Sequence, residues 1–426
     1  MNLYDELKER GLIFQTSNEE AVKEYLSKKG GRFYIGFDPT AESLHAGSLL
    51  PIIFMKRLEK AGLRPIVLVG GATGLIGDPS GKSQERNLLD LKTVKRNVCG
   101  LKKQLSSFFP PAGGFGRFFG KSSVMFVNNY DWIKNISLVD ILRDIGKHFT
   151  INEMISKESV QKRMATGISF TEFTYMILQA IDFLNLFKKY NCVLQVGGSD
   201  QWGNMIAGVE LIRKKISKEG LVLSMPLVIK ADGTKFGKSE SGAVWLDATM
   251  TSPYHFYQFW INTDDASVGK FLKYFTFLSL EEIKKLEVLV ATEPEKREAQ
   301  KVLAREVTKF VHGESAADSA EKISTLLFSG KVRDLSSREL SEVFSGSAVK
   351  EMAKFEEMPI ADFLVGAKVV DSKRQAREDV ENKAIEINGE KVLELEYKVS
   401  KKDTLQGKYI LIKRGKKDYH FIKLTS

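Results

Sequence analysis

Alternation between short apolar runs and longer helical patterns is the feature that most constrains how this chain folds. Between Arg32 and about Leu223, the runs that read as strands are 33–37, 65–69, 124–127 and 192–196, and helical patterns such as 45–61 and 171–187 lie between them. Such alternation is typical of a parallel, doubly wound sheet. Because ligands of these sheets bind at the carboxyl ends of the strands, we expect the functional residues in the turns that follow them.

The length and composition exclude several classes of protein. The 426 residues exceed the size at which one core keeps growing, and about 150 residues per domain suggests about three domains. A hydrophobic fraction of 43% and a charged fraction of 28% exclude a disordered chain. No apolar run is long enough for a membrane span, and Asp5, Glu6 and Glu9 do not fit a signal peptide. We therefore expect a cytoplasmic protein without a membrane partner.

The pattern divides the chain into four segments. The doubly wound part predicts a Rossmann-like domain over residues 1–223, and helical patterns without interleaved strands predict a helical domain over 224–328. The stretch 329–355 is rich in Ser, Lys and Glu and is predicted to be a linker. Two short helices followed by strand-like runs predict a small α+β domain over 356–426.

The net charge and the two cysteines bear on which ligands and which cellular compartment the chain is suited to. The formal net charge is +10, and residues 401–426 hold eight basic and two acidic side chains, which leaves +6 in that segment. Such a balance is compatible with a polyanionic partner but does not require one. Cys99 and Cys192 have no metal-ligand spacing, so we predict no resident metal site and a reducing compartment.

The first candidate site is the segment 34–50, YIGFDPTAESLHAGSLL. A strand ends at Phe37, the DPT sequence turns the chain, Ser43 can cap the next helix, and that helix begins at His45. Gly47 lets another backbone or a ligand approach closely. This arrangement predicts an anion site at a helix N-terminus, although a capping or surface role for His45 stays open.

A second glycine-rich turn follows the apolar run 65–69. The segment 70–86, GGATGLIGDPSGKSQER, places Lys82 and Arg86 where they can meet phosphates, but it lacks the Walker spacing. A P-loop NTPase is therefore disfavoured. The Phe- and Gly-rich stretch 108–120 is interpreted as a loop or an insertion.

The third candidate site lies on a helix that begins after Ser169, in the sequence SFTEFTYMILQAIDFLNL. Ser169 and Glu172 fit a capping box. Tyr175, Gln179 and Asp182 fall on one narrow stripe of an otherwise apolar helix. Because unpaired buried polar groups are costly, this stripe is predicted to line a polar pocket, with an internal network as the alternative.

Two further polar segments follow. QVGGSDQWGN, which begins at Gln195, places Asp200 and Gln201 after a strand, and Asp200 can hold ribose hydroxyls or cap a helix. The sequence KADGTKFGKSES over 230–241 is a cationic loop, for which a solvated turn is the alternative interpretation.

Together these segments resemble one family. HAGS at 45–48 and KFGKS at 235–239 resemble the HIGH and KMSKS motifs of class I aminoacyl-tRNA synthetases. YIGFDPTAESLH, GGATGLIGDPSGK, NNYDW, GISFTEFTYMILQAIDF and GGSDQWGN are similar to the bacterial-type tyrosyl-tRNA synthetases. The resemblance is dense through about His312, and 358–426 more loosely resembles the alpha-L RNA-binding module of a ribosomal small-subunit protein, through SKRQAREDV and INGEKV.

The resemblance implies site residues, each by its match to the family motifs. The tyrosine-binding residues would be Tyr34 and Asp182 at the phenol, Asp78, Tyr175 and Gln179 at the ammonium group, Gln201 near the carboxylate, and Thr73 and Gln195 elsewhere in the pocket. The ATP-binding residues would be Asp38, His45, Gly47, Ser48, Asp200, as the ribose ligand, and Lys238. The leaving pyrophosphate would be held by Thr40, His45, Lys82, Arg86, Lys235 and Lys238, and RNA by Lys373, Arg374, Arg377, Lys413 and Arg414.

The implied fold and activity are those of the family. The fold would be a class I Rossmann-like catalytic domain for ATP and tyrosine, followed by a helical domain on the anticodon side and a small α+β RNA-binding domain. The activity would join tyrosine to tRNA(Tyr) through a tyrosyl-adenylate, using ATP and Mg²⁺ in a homodimer. Ser48 replaces the usual histidine of the HIGH motif, and Phe236 and Gly237 replace methionine and serine of the KMSKS motif.

Two other classes of function stay open at this point. A small-molecule nucleotidyltransferase would share the ATP motifs but would need neither the Tyr34–Asp182 pair nor the basic tail. A non-catalytic RNA-binding relative would be expected to have lost Lys235, Lys238 or Asp78, and all three are present. The tail also has a competing interpretation, in which it only stabilises the fold or the dimer.

Overall fold

The computed structural model describes residues 1–80, 88–109, 124–164, 167–228, 236–239, 242–345, 349–415 and 418–425. The chain forms two compact units. The first comprises Met1–Gly237 and Gly269–Lys284, and the second comprises Lys238–Val268 and Lys285–Ser426. Within the described ranges, no helix has both the length and the apolar character needed to cross a membrane.

A six-stranded sheet forms the centre of the first unit. Its strands are β1 (Gln15–Thr16), β2 (Arg32–Phe37), β3 (Arg64–Val69), β4 (Met125–Asn128), β5 (Cys192–Gly198) and β6 (Leu221–Met225). Their order is β1-β6-β5-β2-β3-β4, and every neighbouring pair is parallel except β1 with β6. This confirms the predicted doubly wound sheet.

The order of the strands explains where a ligand can enter. From β2 the chain proceeds to β3 and β4 on one side, and β5 and β6 add on the other side. The connection therefore reverses direction between β2 and β5, where the loops at the carboxyl ends of the strands diverge and leave a crevice. Below this crevice β2 and β5 are paired, with Tyr34 of β2 in register with Gln195 of β5.

Helices cover the sheet of the first unit. They are α1 (Leu3–Glu9), α2 (Glu19–Ser27), α3 (Leu49–Lys60), α4 (Thr73–Ile76), α5 (Leu91–Phe108), α6 (Tyr130–Ile133), α7 (Leu138–Asp140), α8 (Ile151–Ile155), α9 (Glu158–Met164), α10 (Phe170–Tyr190) and α11 (Trp202–Ile216). A short 3-10 turn, Ala46–Ser48, precedes α3, and its N-cap is His45. The prediction that Ser43 caps this helix was wrong, because the Ser43 hydroxyl donates to the Leu44 carbonyl instead.

The N-terminus of α10 differs from the predicted capping box. Ser169 Oγ accepts a hydrogen bond from the Glu172 amide at 3.2 Å, as expected. The Glu172 carboxylate, however, binds the Arg163 guanidinium through two hydrogen bonds of 2.9 Å, and both side chains are buried. A bidentate, charge-assisted pair is stronger than one bond to a backbone amide, which explains the difference.

The second unit is helical in its first part. Its helices are α12 (Pro253–Ile261), α13 (Asp265–Phe275), α14 (Leu280–Thr292), α15 (Glu298–His312), α16 (Glu314–Phe328), α17 (Ser337–Val343), α18 (Ile360–Gly366) and α19 (Lys373–Glu381). Of these, α13 and α14 belong in part to the first unit. The strands β7 (Lys238–Ser239) and β8 (Gly242–Ala243) form a short antiparallel pair before α12. The predicted run of helices after Lys238 is therefore present.

A second sheet forms the C-terminal part of this unit. Its strands are β9 (Val349–Ala353), β11 (Ile385–Ile387), β12 (Glu390–Lys391), β14 (Tyr409–Arg414) and β15 (Asp418–Thr425), in the order β12-β11-β14-β15-β9. The strands β10 (Glu357–Pro359) and β13 (Lys398–Ser400) form a separate antiparallel pair. The predicted small α+β module has this structure.

The segment 329–355 is not the unstructured linker that its composition suggests. It contains α17 and β9, and β9 pairs in parallel with β15. Most of its large apolar side chains, among them Val332, Leu335 and Phe344, are buried in one cluster. Sparse apolar residues are enough to order this segment because neighbouring elements supply the rest of the core.

The buried Arg163–Glu172 pair gives a stability prediction. Glu172→Gln should lower the free energy of unfolding by about 3–5 kcal/mol, because the guanidinium stays buried beside a neutral group. Urea unfolding measures this change. Glu158→Gln is the matched control, since Glu158 pairs with Lys162 at the exposed surface and should cost about 0.5 kcal/mol or less. Equal losses in the two variants would contradict this interpretation of the buried pair.

Candidate active site

A cavity of about 210 Å³ lies where the sheet reverses direction, at the carboxyl ends of β2 and β5. Its lining includes eight side chains predicted to bind tyrosine, namely Tyr34, Thr73, Asp78, Tyr175, Gln179, Asp182, Gln195 and Gln201. Asp38, predicted at the ATP site, lines it as well. Elements distant in sequence therefore bring one predicted set of residues together.

Two phenol-binding candidates lie buried in this cavity. Tyr34 is buried, and among the described residues its hydroxyl has no hydrogen-bond partner. Asp182 is also buried, and burial raises the pKa of its carboxyl to about 7, although hydrogen bonds from Asn129 and Trp132 lower it. A buried hydroxyl and a carboxylate on the wall of one cavity suit a ligand that both donates and accepts a hydrogen bond.

A chain of buried hydrogen bonds fixes the Asp182 carboxylate. It accepts from Asn129 Nδ2 at 2.9 Å and from Trp132 Nε1 at 2.8 Å. Asn129 also donates to Thr73 Oγ1 at 3.1 Å, and Thr73 donates to Asp38 Oδ1 at 2.7 Å. Tyr175 Oη completes the chain by donating to Asp38 Oδ2 at 2.8 Å. Tyr175 and Asp182 thus belong to an internal network and also line the predicted polar pocket, while contact of the stripe with a ligand stays a prediction.

A second polar group surrounds Asp78. Gln201 Nε2 donates to Asp78 Oδ2 at 2.6 Å, and the Ser80 amide donates to Oδ1 at 3.0 Å. Asn204 Nδ2 lies 3.3 Å from Gln201 Oε1, which orients the Gln201 amide group. These contacts position one carboxylate and one amide on the cavity wall.

Asp200 lies beside the end of β5 and does not line the cavity. A side chain at Gly198 would place its Cβ 2.5 Å from Asp200 Oδ1, so the carboxylate folds back over this glycine. Burial, followed by the charge of Asp78, raises the pKa of Asp200. Asp200 lies in the 3-10 turn Ser199–Gln201, which precedes α11. Among the residues that the structure describes, no side chain caps the start of this turn.

The two signature motifs meet through their backbones. His45 Nδ1 accepts a hydrogen bond from the Gly47 amide at 3.0 Å. A Cβ at Gly47 would lie 3.1 Å from the Phe236 carbonyl oxygen, and a Cβ at Gly237 would lie 2.5 Å from the Gly47 nitrogen. Gly237 also has a φ of +90°, which favours glycine. The predicted close approach at Gly47 is therefore present, and its partner is the lysine loop.

Several predicted residues stand apart from the cavity or beyond the described ranges. Thr40 is exposed in the turn after Asp38, and Ser48 precedes α3 without a side-chain cap bond. Lys82, Arg86 and Lys235 lie outside the described residues, as does most of the stretch 108–120. Lys238 begins β7.

Four of the five predicted RNA-binding cations form ion pairs. Lys373 pairs with Asp362, Arg374 with Glu378, Lys413 with Glu386 and Arg414 with Asp379. Arg377 is exposed, and no ion pair to it is present among the described residues. The first three of the five cations lie on α19, whereas Lys413 and Arg414 end β14.

The sequence-based site lacked three residues that the structure adds. Asn129 and Trp132 hold Asp182, and Asn204 holds Gln201. The first two belong to NNYDW, a segment that contributed to the resemblance without a role of its own. Its position directly after β4 was the signal that could have placed it at the carboxyl edge of the sheet.

Comparison with known proteins identifies the family. The profile of the tRNA synthetases class I (W and Y) matches residues 27–329, and that of the tyrosine–tRNA ligase SYY-like C-terminal domain matches residues 339–422. A tyrosine–tRNA ligase 2 of Enterococcus faecalis is 51% identical over 99% of both chains. A tyrosine–tRNA ligase of Limosilactobacillus fermentum is also 51% identical, over the full length of both.

Solved structures agree with this assignment. A C-terminally truncated mitochondrial tyrosyl-tRNA synthetase of Aspergillus nidulans superposes with a TM-score of 0.67 and 32% identity, over 76% of this chain and 94% of that chain. The Archaeoglobus fulgidus tyrosyl-tRNA synthetase complexed with L-tyrosine, at 15% identity and a TM-score of 0.53 over 75% of this chain and 98% of that chain, shares the fold. With a family profile over most of its length and relatives half identical from end to end, the chain belongs to the tyrosine–tRNA ligases of the class I tRNA synthetases.

Proposed function

We propose that this tyrosine–tRNA ligase binds the phenol of tyrosine between Tyr34 and Asp182, and the observation that carries the proposal is the buried Tyr34 hydroxyl. That hydroxyl has no partner among the described residues, and an unsatisfied buried polar group costs about 1–3 kcal/mol. A substrate hydroxyl can accept from Tyr34 and donate to the Asp182 carboxylate at the same time. Phenylalanine offers neither bond, so the same pocket would select against it.

The ammonium group of tyrosine would bind on the side of Asp78, Tyr175 and Gln179. Tyr175 Oη donates its proton to Asp38, which leaves the oxygen lone pairs to accept from an ammonium group. The amide of Gln201 bonds to Asp78 and lines the same cavity, so it lies where it can contact the substrate carboxylate. Thr73 and Gln195 would complete the pocket.

ATP would bind against the turn that begins at His45, with Asp200 as the ribose ligand. Activation requires the tyrosine carboxylate to attack the α-phosphate while pyrophosphate leaves, so no side-chain nucleophile is needed. The negative charge that grows on the leaving group must be neutralised. The cations assigned to this task, Lys82, Arg86, Lys235 and Lys238, are proposed from the family resemblance.

Mg²⁺ would enter with the triphosphate and supply positive charge to the phosphates. This ion retains several waters and binds through substrate phosphates with few protein carboxylates. Asp38 and Asp78 line the cavity, and the described part of the chain holds no cluster of three metal-ligating side chains. This donor set fits an ion delivered by ATP better than a resident one.

The second step would transfer tyrosine to the 3′ end of tRNA(Tyr), with the C-terminal module as an RNA contact. Exposed Arg377 and the lysines of residues 401–426 give this module its positive charge. Contacts to phosphates release counterions, so tRNA binding should weaken as salt rises. The catalytic, helical and RNA-binding domains are proposed at the boundaries predicted from the sequence, with 329–355 packed between helices and sheet instead of forming a linker.

We also propose a homodimer in the cytoplasm. Leu138, Val139, Leu142, Met164 and Phe170 are exposed large apolar side chains, and all lie in one stretch of the first unit. We propose that a second copy of the chain covers these side chains, because exposed apolar side chains in number mark interaction sites.

Tyr34→Phe tests the phenol site. Removing one hydrogen bond to the substrate should lower the preference for tyrosine over phenylalanine by about fivefold, which corresponds to about 1 kcal/mol. The measurement is pyrophosphate–ATP exchange dependent on each amino acid, compared as kcat/KM. An unchanged ratio contradicts the assignment of this residue, and absence of tyrosine-dependent exchange in the native chain contradicts the proposed catalysis.

Tyrosine affinity should depend on pH near neutrality. Burial raises the pKa of Asp182 to about 7, and only the carboxylate accepts the phenol proton. Affinity should therefore fall as pH decreases below about 7, by up to about tenfold per unit. Equilibrium dialysis of tyrosine measures the slope. Asp78→Asn should weaken binding yet keep this slope, whereas persistence of the slope in Asp182→Asn would place the titrating group elsewhere.

Gly237→Ala tests the contact between the two motif loops. Its Cβ would lie 2.5 Å from the Gly47 nitrogen, so the loops must separate. A displacement of about 1 Å at a reacting site can cost about 100-fold in rate, and we expect that order of loss in pyrophosphate exchange with tyrosine affinity unchanged. Gly313→Ala is the control, because it has a φ of +89° and no atom within 4 Å of its Cβ. An equal loss in the control would assign the effect to backbone strain.

A further inference from the structure

Two glycine turns of the second unit touch through their backbones. Gly330 follows α16, and Gly389 lies with Asn388 in the tight turn between β11 and β12. Both glycines have left-handed backbone conformations, with φ of +74° and +87°. A Cβ at Gly389 would lie only 2.1 Å from the Gly330 carbonyl oxygen, whereas a Cβ at Gly330 would meet Gly389 at an ordinary 3.5 Å. The contact therefore leaves space for a Cβ at Gly330 but not at Gly389, although the left-handed φ strains a substitution at either position.

Aromatic side chains also pack between the helices of the second unit and its C-terminal sheet. Phe344, at the end of α17, lies with its ring centroid 4.5 Å from that of Tyr409 and 5.5 Å from that of Phe421. Tyr254 of α12 and Ile323 of α16 share one buried cluster with these residues of the C-terminal sheet. The segment predicted to be a linker is thus packed between the helices and the sheet.

Hydrogen bonds also join the beginning of α12 to the end of α17. His255 Nε2 lies 2.9 Å from the Ser345 carbonyl oxygen and 3.2 Å from that of Val343. Carbonyl oxygens only accept, so this nitrogen carries the proton. The Tyr254 amide donates to Glu342 Oε1 at 2.8 Å. The beginning of α12 is therefore tied to the end of α17.

The C-terminal module does not need these contacts for its own core. Ile410 and Ile412 of β14 pack into a separate cluster with α18 and α19. Tyr409 and Leu411 of the same strand point to the opposite face and join the cluster with α12 and α16. Alternate residues of one strand thus serve two cores, one within the module and one that attaches it.

We propose that this joint, formed by Tyr254, His255, Gly330, Phe344, Gly389, Tyr409 and Phe421, is a positioning device for tRNA charging. It fixes the RNA-binding module on the helices of the second unit, so that one tRNA is held by both at once. Two linked contacts on one ligand gain affinity only when their geometry allows simultaneous binding. The inference rests on the proposed RNA-binding role of the module.

Gly389→Ala in the full-length chain is the test, with two matched controls. Gly330→Ala lies at the same contact without a clash, and Gly313→Ala has a similar left-handed φ, +89°, with open space around it. We expect Gly389→Ala to raise the KM for tRNA in charging at least about tenfold, while tyrosine-dependent pyrophosphate exchange stays unchanged. Amide hydrogen exchange of α17 should accelerate in this variant and in neither control.

The outcomes separate the inference from the role on which it rests. The double variant Arg374→Glu/Arg377→Glu keeps the joint and removes positive charge from α19. Suppose that the double variant raises the KM for tRNA, whereas Gly389→Ala accelerates the amide hydrogen exchange of α17 but leaves this KM unchanged. The joint then has no positioning role. If the double variant also leaves the KM for tRNA unchanged, the RNA-binding role of α19 fails, and the inference fails with it. Unchanged exchange of α17 in Gly389→Ala would overturn the joint itself.

Discussion

The buried carboxyl group of Asp182 on α10 is the constraint on which the cavity depends. A buried polar group is tolerated only when it is hydrogen-bonded, and Asn129 and Trp132 supply the two donors. Asn129 is itself fully buried and connects to Thr73 and Asp38. The need to satisfy one carboxylate thus ties together the ends of β2, β3 and β4 and one face of α10, and those elements form the wall of the cavity.

Much of this arrangement could be predicted from sequence because it follows from local patterns. The apolar runs placed four strands to within a few residues, and the helical period placed Tyr175, Gln179 and Asp182 on one stripe. The family resemblance then assigned eight residues that the structure brings to one cavity. The roles of those residues at a bound substrate remain proposals.

These features, which sequence reasoning missed, depend on partners in other helices or strands. Glu172 looked like a capping residue because Arg163, its actual partner, lies nine positions earlier in another helix. Trp132 showed no role until α10 placed Asp182 against it, 50 residues further along the chain. The segment 329–355 looked like a linker because the side chains that cover its few apolar residues come from α12, α16 and the C-terminal sheet.

Phe236 and Gly237, which replace methionine and serine of the KMSKS motif, have a structural explanation, whereas Ser48 has none. Phe236 packs its ring against Phe271 and Phe275, with centroids 5.0 and 5.5 Å away, so a large apolar side chain fits there as methionine would. Gly237 adopts a backbone conformation that serine would adopt only with strain. Nothing in the structure explains Ser48 in place of histidine.

The C-terminal sheet packs on both of its faces, and this limits where the chain can be truncated. A cut at residue 356, the boundary suggested by composition, would strip β14 and β15 from the helices and leave Tyr254, Ile323 and Phe344 without their cover. These side chains would form a newly exposed apolar surface, and such surfaces promote self-association. A shortened form would therefore expose apolar side chains of α12, of α16 and of the end of α17, because the module is separable in sequence but part of the core in the structure.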